Sequence, residues 1–327
     1  MPPAPTLGID LGGTKVESAL VDASGRVLHS HRHPTDAERA PDRVVTDIVA
    51  CVEACLEAAT ARASAAGIGV AGQVDTEAGV VQTAPNLGWT DVPLRDRLED
   101  ALDLPVVVDN DVRAITWGVW SEGAGRGIDD LVVIFIGTGI GGGIVSNGEL
   151  LEGRRGTAGE LGHLPIVMGG RDCHCPNEGC WEAYAGGWAI AERMRDAVRR
   201  NPVAGSAIVD RAGSIAGITG RTVHAACEDG DPLAEQIVAD TETAIGLGLT
   251  GIANALNPAR IVLGGGVIEG RPAYVDAARQ IVDERALAPA AQALDIVASD
   301  LGGRAGPIGA ATMARHQTAT AGRPSTS

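Results

Sequence analysis

The sequence predicts an α/β protein built from two related halves, on three observations. The length of 327 residues suits one large domain or two domains of ordinary size. A pattern of apolar strand, glycine turn, alternating strand and tight turn begins near residue 7 and begins again near residue 130. Segments with apolar residues at helical spacing separate the strands. The two copies differ in residue identity but agree in pattern, which favours two α/β halves of common design.

The N-terminal half is predicted to contain short strands with helices between them. Strands are predicted at TLGID, VESALVD, RVLHS, IGVAG and PVVVDND, each next to a polar or glycine turn. Apolar residues at helical spacing predict helices in VVTDIVACVEACLEAATAR and VPLRDRLEDAL. Cys51 and Cys55 lie one turn apart on the apolar stripe of the first helix, so we interpret both as core thiols.

The C-terminal half repeats this pattern and adds a long helix. The strand LVVIFI leads into the turn GTGIGGG, and ARIVLGGGV is predicted as another strand that ends in glycines. Asp231 and Pro232 are a good N-cap and N1 pair, and Pro258 after Asn257 stops the helix that they begin. The polar tail HQTATAGRPSTS has no periodic apolar pattern and is predicted to be disordered.

The composition disfavours several classes of function. A net charge of −16 and an aromatic content of 2% argue against binding to nucleic acid or to an anionic membrane. No run approaches the roughly 18 apolar residues of a membrane span, and MPPAPTLGID lacks the basic and apolar regions of a signal peptide. We therefore expect a cytoplasmic protein with reduced cysteines and with no nucleic-acid or membrane partner.

Two glycine turns follow buried strands and indicate a nucleotide triphosphate site. Glycines let the backbone approach phosphates, and their N–H groups bind anionic oxygens. Asp10 ends the first strand and is placed to hold Mg²⁺, directly or through water, while Thr14 offers a hydroxyl and Lys15, the only lysine, offers a charge. A simple hairpin turn explains either glycine turn taken alone. Neither turn matches the P-loop pattern. The letters GxGxxG occur at residues 137–142, but an alternating strand follows them where a dinucleotide-binding motif would open a helix, so the Rossmann interpretation fails as well.

Two further stretches carry polar groups that suit a hydroxyl-bearing substrate. The strand VVVDND delivers Asp109, Asn110 and Asp111 to its end, where α/β proteins place ligand-binding groups. A carboxylate there can accept a hydroxyl proton and an amide can bind neighbouring hydroxyls, although a solvated turn explains the stretch as well. In GELGH, Glu160 and His163 share a face if the segment is helical. A single His beside a Glu is more often structural than catalytic.

Three cysteines in DCHCPNEGCWE predict a zinc site. In a reducing compartment, Cys173, Cys175 and Cys180 suit a tight loop of thiolates around Zn²⁺ better than they suit idle or redox-active thiols. A fourth ligand is needed. His174 is the nearest candidate, but it lies between two ligands, which crowds the geometry. His163 would tie GELGH to the loop, so we favour it while both stay open.

Taken in order, these motifs resemble the ROK family of repressors, open reading frames and sugar kinases. DLGGTK, the NDxxR stretch, GTGIGGG, GELGH with CHCPNEGCWE, and NPARIVLGGG follow the order and spacing of that family from about residue 7 to 314. The combination of GELGH with the three-cysteine loop is the most specific part. APNLGW at residues 84–89 brings the likeness closest to the bacterial ATP-dependent glucokinases of the family.

The resemblance implies an actin-like (ribonuclease H-like) α/β fold with two domains around a cleft. The implied domains are residues 1–115 with about 300–327, and residues 116–299 with the zinc loop. The implied reaction is ATP-dependent phosphorylation of a hexose, first of all glucose to glucose 6-phosphate, with Mg²⁺ and a structural Zn²⁺. Kinases for N-acetylmannosamine, N-acetylglucosamine, fructose or allose are the alternatives, and polyphosphate is the alternative donor. Homodimers or homotetramers are usual in the family.

The resemblance also implies roles for individual residues. Asp111 matches the catalytic base and contacts the sugar. The other sugar ligands are matched by Gly72, through its backbone, and by Asn110, Glu160, His163 and Glu182. His163, Cys173, Cys175 and Cys180 match the zinc ligands. The phosphates and Mg²⁺ are matched by Asp10, Gly12, Gly13, Thr14, Lys15, Gly137, Thr138, Gly139, Gly141 and Gly142, and the adenosine by Gly264, Gly265 and Gly266.

Departures from the family pattern bear on these roles. Pro176 stands where the cysteine loop usually has a glycine; because the ligand spacing is intact, we expect zinc to bind a loop of changed conformation. Where the glucokinases read ENDAN, this chain has Asp109 for the Glu and Arg113 for the last Asn, which brings a charge near the catalytic aspartate. A sugar-sensing regulator is disfavoured, because only six residues precede LGID, where a DNA-binding winged helix would lie.

Overall fold

The protein folds into short strands and helices, seen here in a computed structural model that describes residues 4–35, 40–59 and 61–321. The strands are β1 (Thr6–Leu11), β2 (Lys15–Val21), β3 (Val27–Pro34), β4 (Ala66–Val70), β5 (Gln73–Asp75), β6 (Val80–Ala84), β7 (Trp89–Pro93), β8 (Val106–Asn110), β9 (Leu131–Ile136), β10 (Ile140–Ser146), β11 (Glu149–Leu150), β12 (Arg260–Gly264) and β13 (Asp295–Ala298). The helices are α1 (Pro41–Ala59), α2 (Leu94–Leu102), α3 (Asp111–Glu122), α4 (Glu182–Ala185), α5 (Gly187–Arg200), α6 (Ser206–Ala212), α7 (Gly220–Glu228), α8 (Pro232–Leu256), α9 (Gly266–Gly270), α10 (Ala273–Arg285), α11 (Ala288–Ala293) and α12 (Ala305–Ala321). Short 3-10 helices form at Pro85–Leu87, Leu161–His163 and Gly302–Arg304.

Two mixed sheets of the described residues repeat one topology. The first sheet has the strand order β3-β2-β1-β4-β8, and the second has the order β11-β10-β9-β12-β13. In each sheet the first three strands pair antiparallel with one another, and the last two run parallel to the central strand. The pattern that begins twice in the sequence is therefore confirmed as a duplicated sheet, in which β1 and β9 are equivalent.

Helix α12 packs closely against the first sheet because two strands offer glycines there. A Cβ at Gly8 of β1 would lie 1.7 Å from the carbonyl oxygen of Pro307, and a Cβ at Gly67 of β4 would lie 2.0 Å from that of Ala310. Only a glycine lets the helix backbone come so near to a strand. Helix α12 therefore packs directly on β1 and β4 of the first sheet.

The core of the first sheet also contains α1, as its apolar stripe predicts. Val44, Ile48 and Cys55 of this helix are fully buried. Cys51 is buried as well, and its Sγ lies 3.3 Å from the hydroxyl oxygen of Ser18 on β2. The prediction that Cys51 and Cys55 are core thiols is confirmed.

A small antiparallel sheet of β5, β6 and β7 follows β4, and the sequence does not predict it. Val81 pairs with Val92 and Ala84 pairs with Trp89 between β6 and β7. These four side chains are buried, whereas residues between them are exposed. Because each strand has at most five residues and is partly polar, its own pattern is too short to reveal a strand without its partners.

The second sheet has its own core, to which the long helix α8 belongs. Asp231 caps this helix by accepting the N–H groups of Leu233 and Ala234 over 2.9 and 3.0 Å. A Cβ at Gly248 of α8 would lie 2.2 Å from the ring of Trp181, which is fully buried. The helix begins where Asp231 and Pro232 predict, and it ends directly before Asn257.

The chain divides into two compact units. The first comprises Met1–Gly127, Leu151–Ala158 and Gly303–Ser327, and the second comprises Ile128–Leu150 and Gly159–Gly302. The short segment Leu151–Ala158 thus groups with the first sheet, although its neighbours in sequence group with the second. The border expected at residues 115 and 116 falls inside α3, and the assignment of domains stays a prediction.

The polar tail differs from its prediction. Helix α12 continues through His316 to Ala321, so this part of the tail is helical rather than disordered, and the remaining residues lie outside the described ones. The helix is anchored by its N-terminal part, where Ala311 and Ala314 are fully buried. Tertiary packing therefore decides the state of a segment whose own pattern is weak. No helix within the described ranges is both long and apolar enough to cross a membrane.

Candidate active site and metal centre

Two acidic side chains meet at the carboxyl-terminal edge of the first sheet. Asp10 lies on β1, and Asp111 is the first residue of α3, directly after β8. Between them lies Gly69 of β4, where a Cβ would be 3.1 Å from the Cα of Asp111. Burial, and after it the negative charge of Asp111, raises the pKa of Asp10 to about 6. Carboxylate oxygens are the ligands that Mg²⁺ prefers, and a cation would offset this repulsion, so the pair fits a magnesium site.

The first glycine turn is a tight hairpin between β1 and β2. The N–H of Gly12 donates to the carbonyl of Lys15 over 2.9 Å. Gly13 and Thr14 lie between them, and the Thr14 side chain is exposed. The charge of Lys15 opposes the effect of burial on the pKa of Asp10, so the only lysine of the chain is within electrostatic reach of the acidic pair.

Asn110 holds the start of α3. Its Oδ1 accepts the N–H groups of Val112 and Arg113 over 2.9 and 3.2 Å, and its Nδ2 donates to the carbonyl of Gly72 over 3.0 Å. A Cβ at Gly72 would lie 2.3 Å from the carbonyl oxygen of Thr83, so the close approach of Thr83 requires a glycine at position 72. This capping role was not predicted from the sequence, although an Asn directly before a helix is a preferred N-cap and was a usable signal.

The guanidinium of Arg113 is buried and paired with acids. Its Nε lies 3.1 Å from Oδ1 of Asp109, and its Nη2 lies 3.0 Å from Oε1 of Glu152. Its Nη1 donates to the carbonyl of Gly156 over 3.1 Å. The two departures from the ENDAN pattern therefore meet as one ion pair, and Arg113 also ties the segment Leu151–Ala158 to α3.

The second glycine turn, Gly137–Gly139, lies between β9 and β10 and is held by the start of α5. The N–H of Gly137 donates to the carbonyl of Gly139 over 2.9 Å. The N–H groups of Gly187 and Trp188 donate to the carbonyls of Gly137 and Thr138, each over 3.0 Å. Backbone contacts from α5 thus fix the conformation of a turn that the sequence predicts for phosphate binding.

The remaining predicted nucleotide glycines differ in what surrounds them. Gly141 and Gly142 lie within β10. Gly264 and Gly265 pack against β9, where an added Cβ would lie 2.5 and 2.6 Å from the nearest atom. Gly266 instead faces open space. Packing therefore explains Gly264 and Gly265 without a ligand, whereas Gly266 has room for one.

A cavity of about 840 Å³ opens beside the second glycine turn. Gly137, Thr138 and Gly266 line it, and the side chains around it include Trp188, Arg195, Thr219, Arg221 and His224. Its volume is in the range of small-molecule and cofactor sites. The lining residues of α5 and α7 were not predicted from the sequence, because they belong to no short motif and meet only through the packing of these helices.

Four side chains of the second unit form a candidate metal centre. The ligand atoms of His163, Cys173, Cys175 and Cys180 all lie within 4.8 Å of one another. Nδ1 of His163 lies 3.6 Å from Sγ of Cys173, and Sγ of Cys175 lies 3.6 Å from Sγ of Cys180. Ligands at the corners of a zinc tetrahedron stand about 3.5–3.8 Å apart, given the usual Zn–N and Zn–S distances. The four side chains therefore fit a Zn²⁺ site with His163 as the fourth ligand. Pro176 does not prevent the three cysteines from coming together with it.

The chemistry of the thiols also favours a cation. Burial, followed by hydrogen bonds with Cys175 and Cys173, raises the pKa of Cys180 to about 12. Burial likewise raises the pKa of Cys173. Burial acts on Cys175 as well, but hydrogen bonds with Asn177, Cys173 and Cys180 lower the pKa of this thiol overall. A metal ion binds thiolates, so its binding releases the protons of Cys173 and Cys180.

Three polar side chains predicted to bind sugar lie around this centre. His163 faces Cys173 with Nδ1, and its Nε2 lies 3.9 Å from Oε2 of Glu160. This distance is too long for a hydrogen bond, so Glu160 lies near the ring without fixing its orientation. Glu182, at the start of α4, accepts the N–H of Ile140 over 2.6 Å and the indole N–H of Trp188 over 3.1 Å.

Both the sequence and the fold of this chain are similar to those of known proteins. The model of the ROK family matches residues 6–317. The chain is 34% identical over 315 residues to the glucokinase of Streptomyces coelicolor, covering 95% of this chain and 97% of the relative. It is 31% identical over 313 residues to the N-acetylmannosamine kinase of Escherichia coli, covering 95% and 98%. The crystal structure of a ROK family glucokinase from Streptomyces griseus in complex with glucose and AMPPNP has a TM-score of 0.83 and 36% identity, covering 95% of this chain and 99% of that one.

The duplicated sheets and these structural neighbours confirm the actin-like α/β fold expected from the sequence. The match spans nearly all of the described residues, and the relatives are matched over almost their whole length. The chain belongs to the ROK family.

Proposed function

We propose that this protein is a hexose kinase that transfers the γ-phosphoryl group of ATP to a sugar hydroxyl, with glucose as the preferred sugar. The observation that carries the proposal is the pairing of Asp10 with Asp111 at the edge of the first sheet. The similarity to the Streptomyces coelicolor glucokinase, and to a glucokinase crystallised with glucose and AMPPNP, supports the choice of glucose and ATP.

Asp111 is the proposed base. Its carboxylate accepts the proton of the sugar's 6-hydroxyl as the oxygen attacks the γ-phosphate, and its place at the first turn of α3 fixes the position of that carboxylate. Asp10 would hold Mg²⁺, directly or through water, and the ion when bound neutralises charge on the transferring phosphoryl group. Phosphoryl transfer depends mainly on such positioning and charge stabilisation.

The nucleotide is proposed to bind at both glycine turns and in the cavity. Gly12, Gly13, Thr14 and Lys15 contact phosphates in the first unit. In the second unit the proposed phosphate contacts are Gly137, Thr138, Gly139, Gly141 and Gly142, and the adenosine lies near Gly264, Gly265 and Gly266. The open space at Gly266 and the cavity of about 840 Å³ support the part of this proposal that concerns the second unit.

The sugar hydroxyls are proposed to contact Asn110, Glu160, His163 and Glu182, with a backbone contact from Gly72. His163 can donate from Nε2 because Nδ1 faces the cysteines. The zinc would be structural, because four protein ligands leave no open position for a substrate. It would hold His163 and the loop before Glu182 in place.

An assay over sugars and phosphoryl donors tests this function. ADP release is measured with glucose, N-acetylmannosamine, N-acetylglucosamine, fructose and allose, and product formation is measured with ATP and with polyphosphate. We expect the highest kcat/KM for glucose with ATP. An absence of phosphorylated product with every sugar and donor would contradict the proposal that the protein is a kinase.

A second candidate is the same reaction on another hexose. The 31% identity to an N-acetylmannosamine kinase over 95% of this chain favours N-acetylmannosamine as the first alternative to glucose. A higher kcat/KM for that sugar in the same assay would show that N-acetylmannosamine, not glucose, is the preferred substrate, and the protein would still be a kinase.

The cytoplasmic location and the homodimeric or homotetrameric assembly stay predictions. Light scattering would measure the assembly.

A further inference from the structure

His174 lies between two proposed metal ligands and contacts an aromatic ring instead of the metal centre. Its imidazole stacks on the indole of Trp188, with ring centroids 4.1 Å apart and an angle of 26° between the planes. His174 is not among the four residues whose ligand atoms converge. The stack joins the loop Cys173–Cys180, here called the metal loop, to the start of α5.

We propose that His174 and Trp188 form a positioning stack that couples the metal loop to the second glycine turn, and so makes nucleotide binding depend on His174. Trp188 contacts this turn in two ways. Its backbone N–H donates to the carbonyl of Thr138 over 3.0 Å. Its indole N–H donates to Oε1 of Glu182 over 3.1 Å, and Oε2 of Glu182 accepts the N–H of Ile140, the residue that follows the turn.

The side chain of Glu182 is packed tightly against the second glycine turn. A Cβ at Gly139 would lie 2.2 Å from a carboxylate oxygen of Glu182, so this side chain touches the turn directly. If the indole of Trp188 rotates, Glu182 loses one of its two donors, and its carboxylate can then swing away from Ile140. The backbone of the turn would become less ordered as a result, and ordered N–H groups are what a phosphate needs.

The neighbouring cavities explain why the indole needs support from His174. Trp188 lines the cavity of about 840 Å³ beside the second glycine turn, and it also lines a separate cavity of about 460 Å³ with His174, Cys173 and Arg171. An aromatic ring between two open spaces has few neighbours to fix its rotamer. The stacked imidazole supplies that contact on the side of the metal loop.

This inference rests on the proposed function, because it assumes that the second glycine turn binds nucleotide. The test compares His174→Ala, which removes the stack, with His174→Phe, which keeps an aromatic ring, and with Trp188→Phe, which keeps a ring but removes the N–H donor to Glu182. His316→Ala is the control, because it removes another His–Trp ring contact, the tilted one with Trp117 in the first unit, where the ring centroids are 4.7 Å apart and the planes make an angle of 40°. The measurements are the zinc content and the Kd for Mg²⁺·AMPPNP by titration calorimetry.

We expect His174→Ala to weaken nucleotide binding about two- to tenfold, the range that corresponds to the loss of one aromatic contact. The variant should keep its zinc, His174→Phe should restore most of the affinity, and Trp188→Phe should bind less tightly than wild type. His316→Ala should bind as wild type does. If His174→Ala binds nucleotide as tightly as wild type, or if it loses its zinc, the coupling is contradicted and the proposed function is not. A wild-type protein that binds no nucleotide would overturn the proposed function together with it.

Discussion

Arg113 and Asp109 are charged side chains buried side by side, only 3% and 1% exposed. Burial raises the pKa of Asp109 to about 6, and the charge of Arg113 opposes that rise. The guanidinium therefore keeps a buried carboxyl ionised at neutral pH. A change of Arg113 would leave Asp109 without its cation, whereas a change of Asp109 would leave Arg113 paired with Glu152. Of the two departures from the ENDAN pattern, Asp109 therefore depends more on Arg113 than Arg113 depends on Asp109.

Arg113→Ala is expected to destabilise the protein by about 3–5 kcal/mol at pH 8, because it leaves a buried charge uncompensated. Without Arg113, the folded-state pKa of Asp109 rises further above its unfolded value, so the folded state binds the proton more tightly. Stability of the variant should then fall as the pH rises through the window between the two values. Urea unfolding at pH 5 and pH 8 measures this difference. Equal losses at both pH values would contradict the role given to Asp109.

A double variant separates the ion pair from the other contacts of Arg113. Asp109→Asn with Arg113→Ala should be less destabilised than the sum of the single variants, because neither charge is then left alone. Additive losses would show that Arg113 acts mainly through Glu152 and the Gly156 carbonyl.

Asp111→Asn is expected to lower kcat about 10²–10⁴-fold, since the amide cannot accept the proton of the sugar hydroxyl. The isosteric amide keeps the start of α3 intact, so the Kd values for sugar and nucleotide should change little. Steady-state kinetics and titration calorimetry measure the two effects separately. Turnover near that of the wild type would exclude Asp111 as the base.

At this scale the sequence predicts chemistry better than it predicts contacts. The spacing of Cys173, Cys175 and Cys180 predicts a metal site, and His163 joins them as the favoured fourth residue. The capping role of Asn110 and the stack of His174 on Trp188 were missed. The Asn directly before α3 was a usable signal for the cap, whereas the stack is set by the packing of neighbouring segments, which no short motif records.

At the scale of elements, glycines decide how closely helix and sheet approach. Gly8→Ala in β1 would place a Cβ 1.7 Å from the carbonyl oxygen of Pro307 in α12. The backbone cannot yield as a flexible side chain would, so we expect a loss of at least about 1–3 kcal/mol, as for other overpacked sites. Urea unfolding measures this loss of stability, and we expect the m-value to stay unchanged.

Gly251→Ala in α8 is the matched control, because an added Cβ there meets nothing within 4 Å. It is expected to be neutral or to stabilise by about 0.5–1 kcal/mol through the helix preference of alanine. A loss in the control as large as that of Gly8→Ala would contradict the steric explanation.

Strands and helices with strong periodic patterns were predictable, and short or weakly patterned ones were not. The helix that begins at Asp231 and Pro232 is found where its cap predicts. Strands β5 to β7 and the last turns of α12 escape prediction, since their stability comes from neighbours distant in sequence. The same reason explains why the short segment Leu151–Ala158 groups with the first sheet, to which Arg113 ties it.

For the whole molecule, the duplicated pattern in the sequence predicts two sheets, and each sheet has a separate core. Proteins with several units commonly unfold in more than one step. Every residue of the candidate metal centre lies in the second unit, whereas Arg113 and its partners lie in the first. Metal loss and the loss of Arg113 should therefore destabilise different units.

Zinc removal is accordingly expected to shift only one of two thermal transitions. The free energy of binding a structural metal is free energy of folding, so chelation should lower the transition of the second unit by roughly 10 °C if zinc saturates its site. Calorimetry with and without chelator measures the shift, and Trp181 and Trp188 report on that unit by fluorescence. Arg113→Ala, the matched control, should lower the other transition and leave this one in place. Since the two perturbations act on separate cores, a single transition that moves equally under both would contradict the independence of the two units.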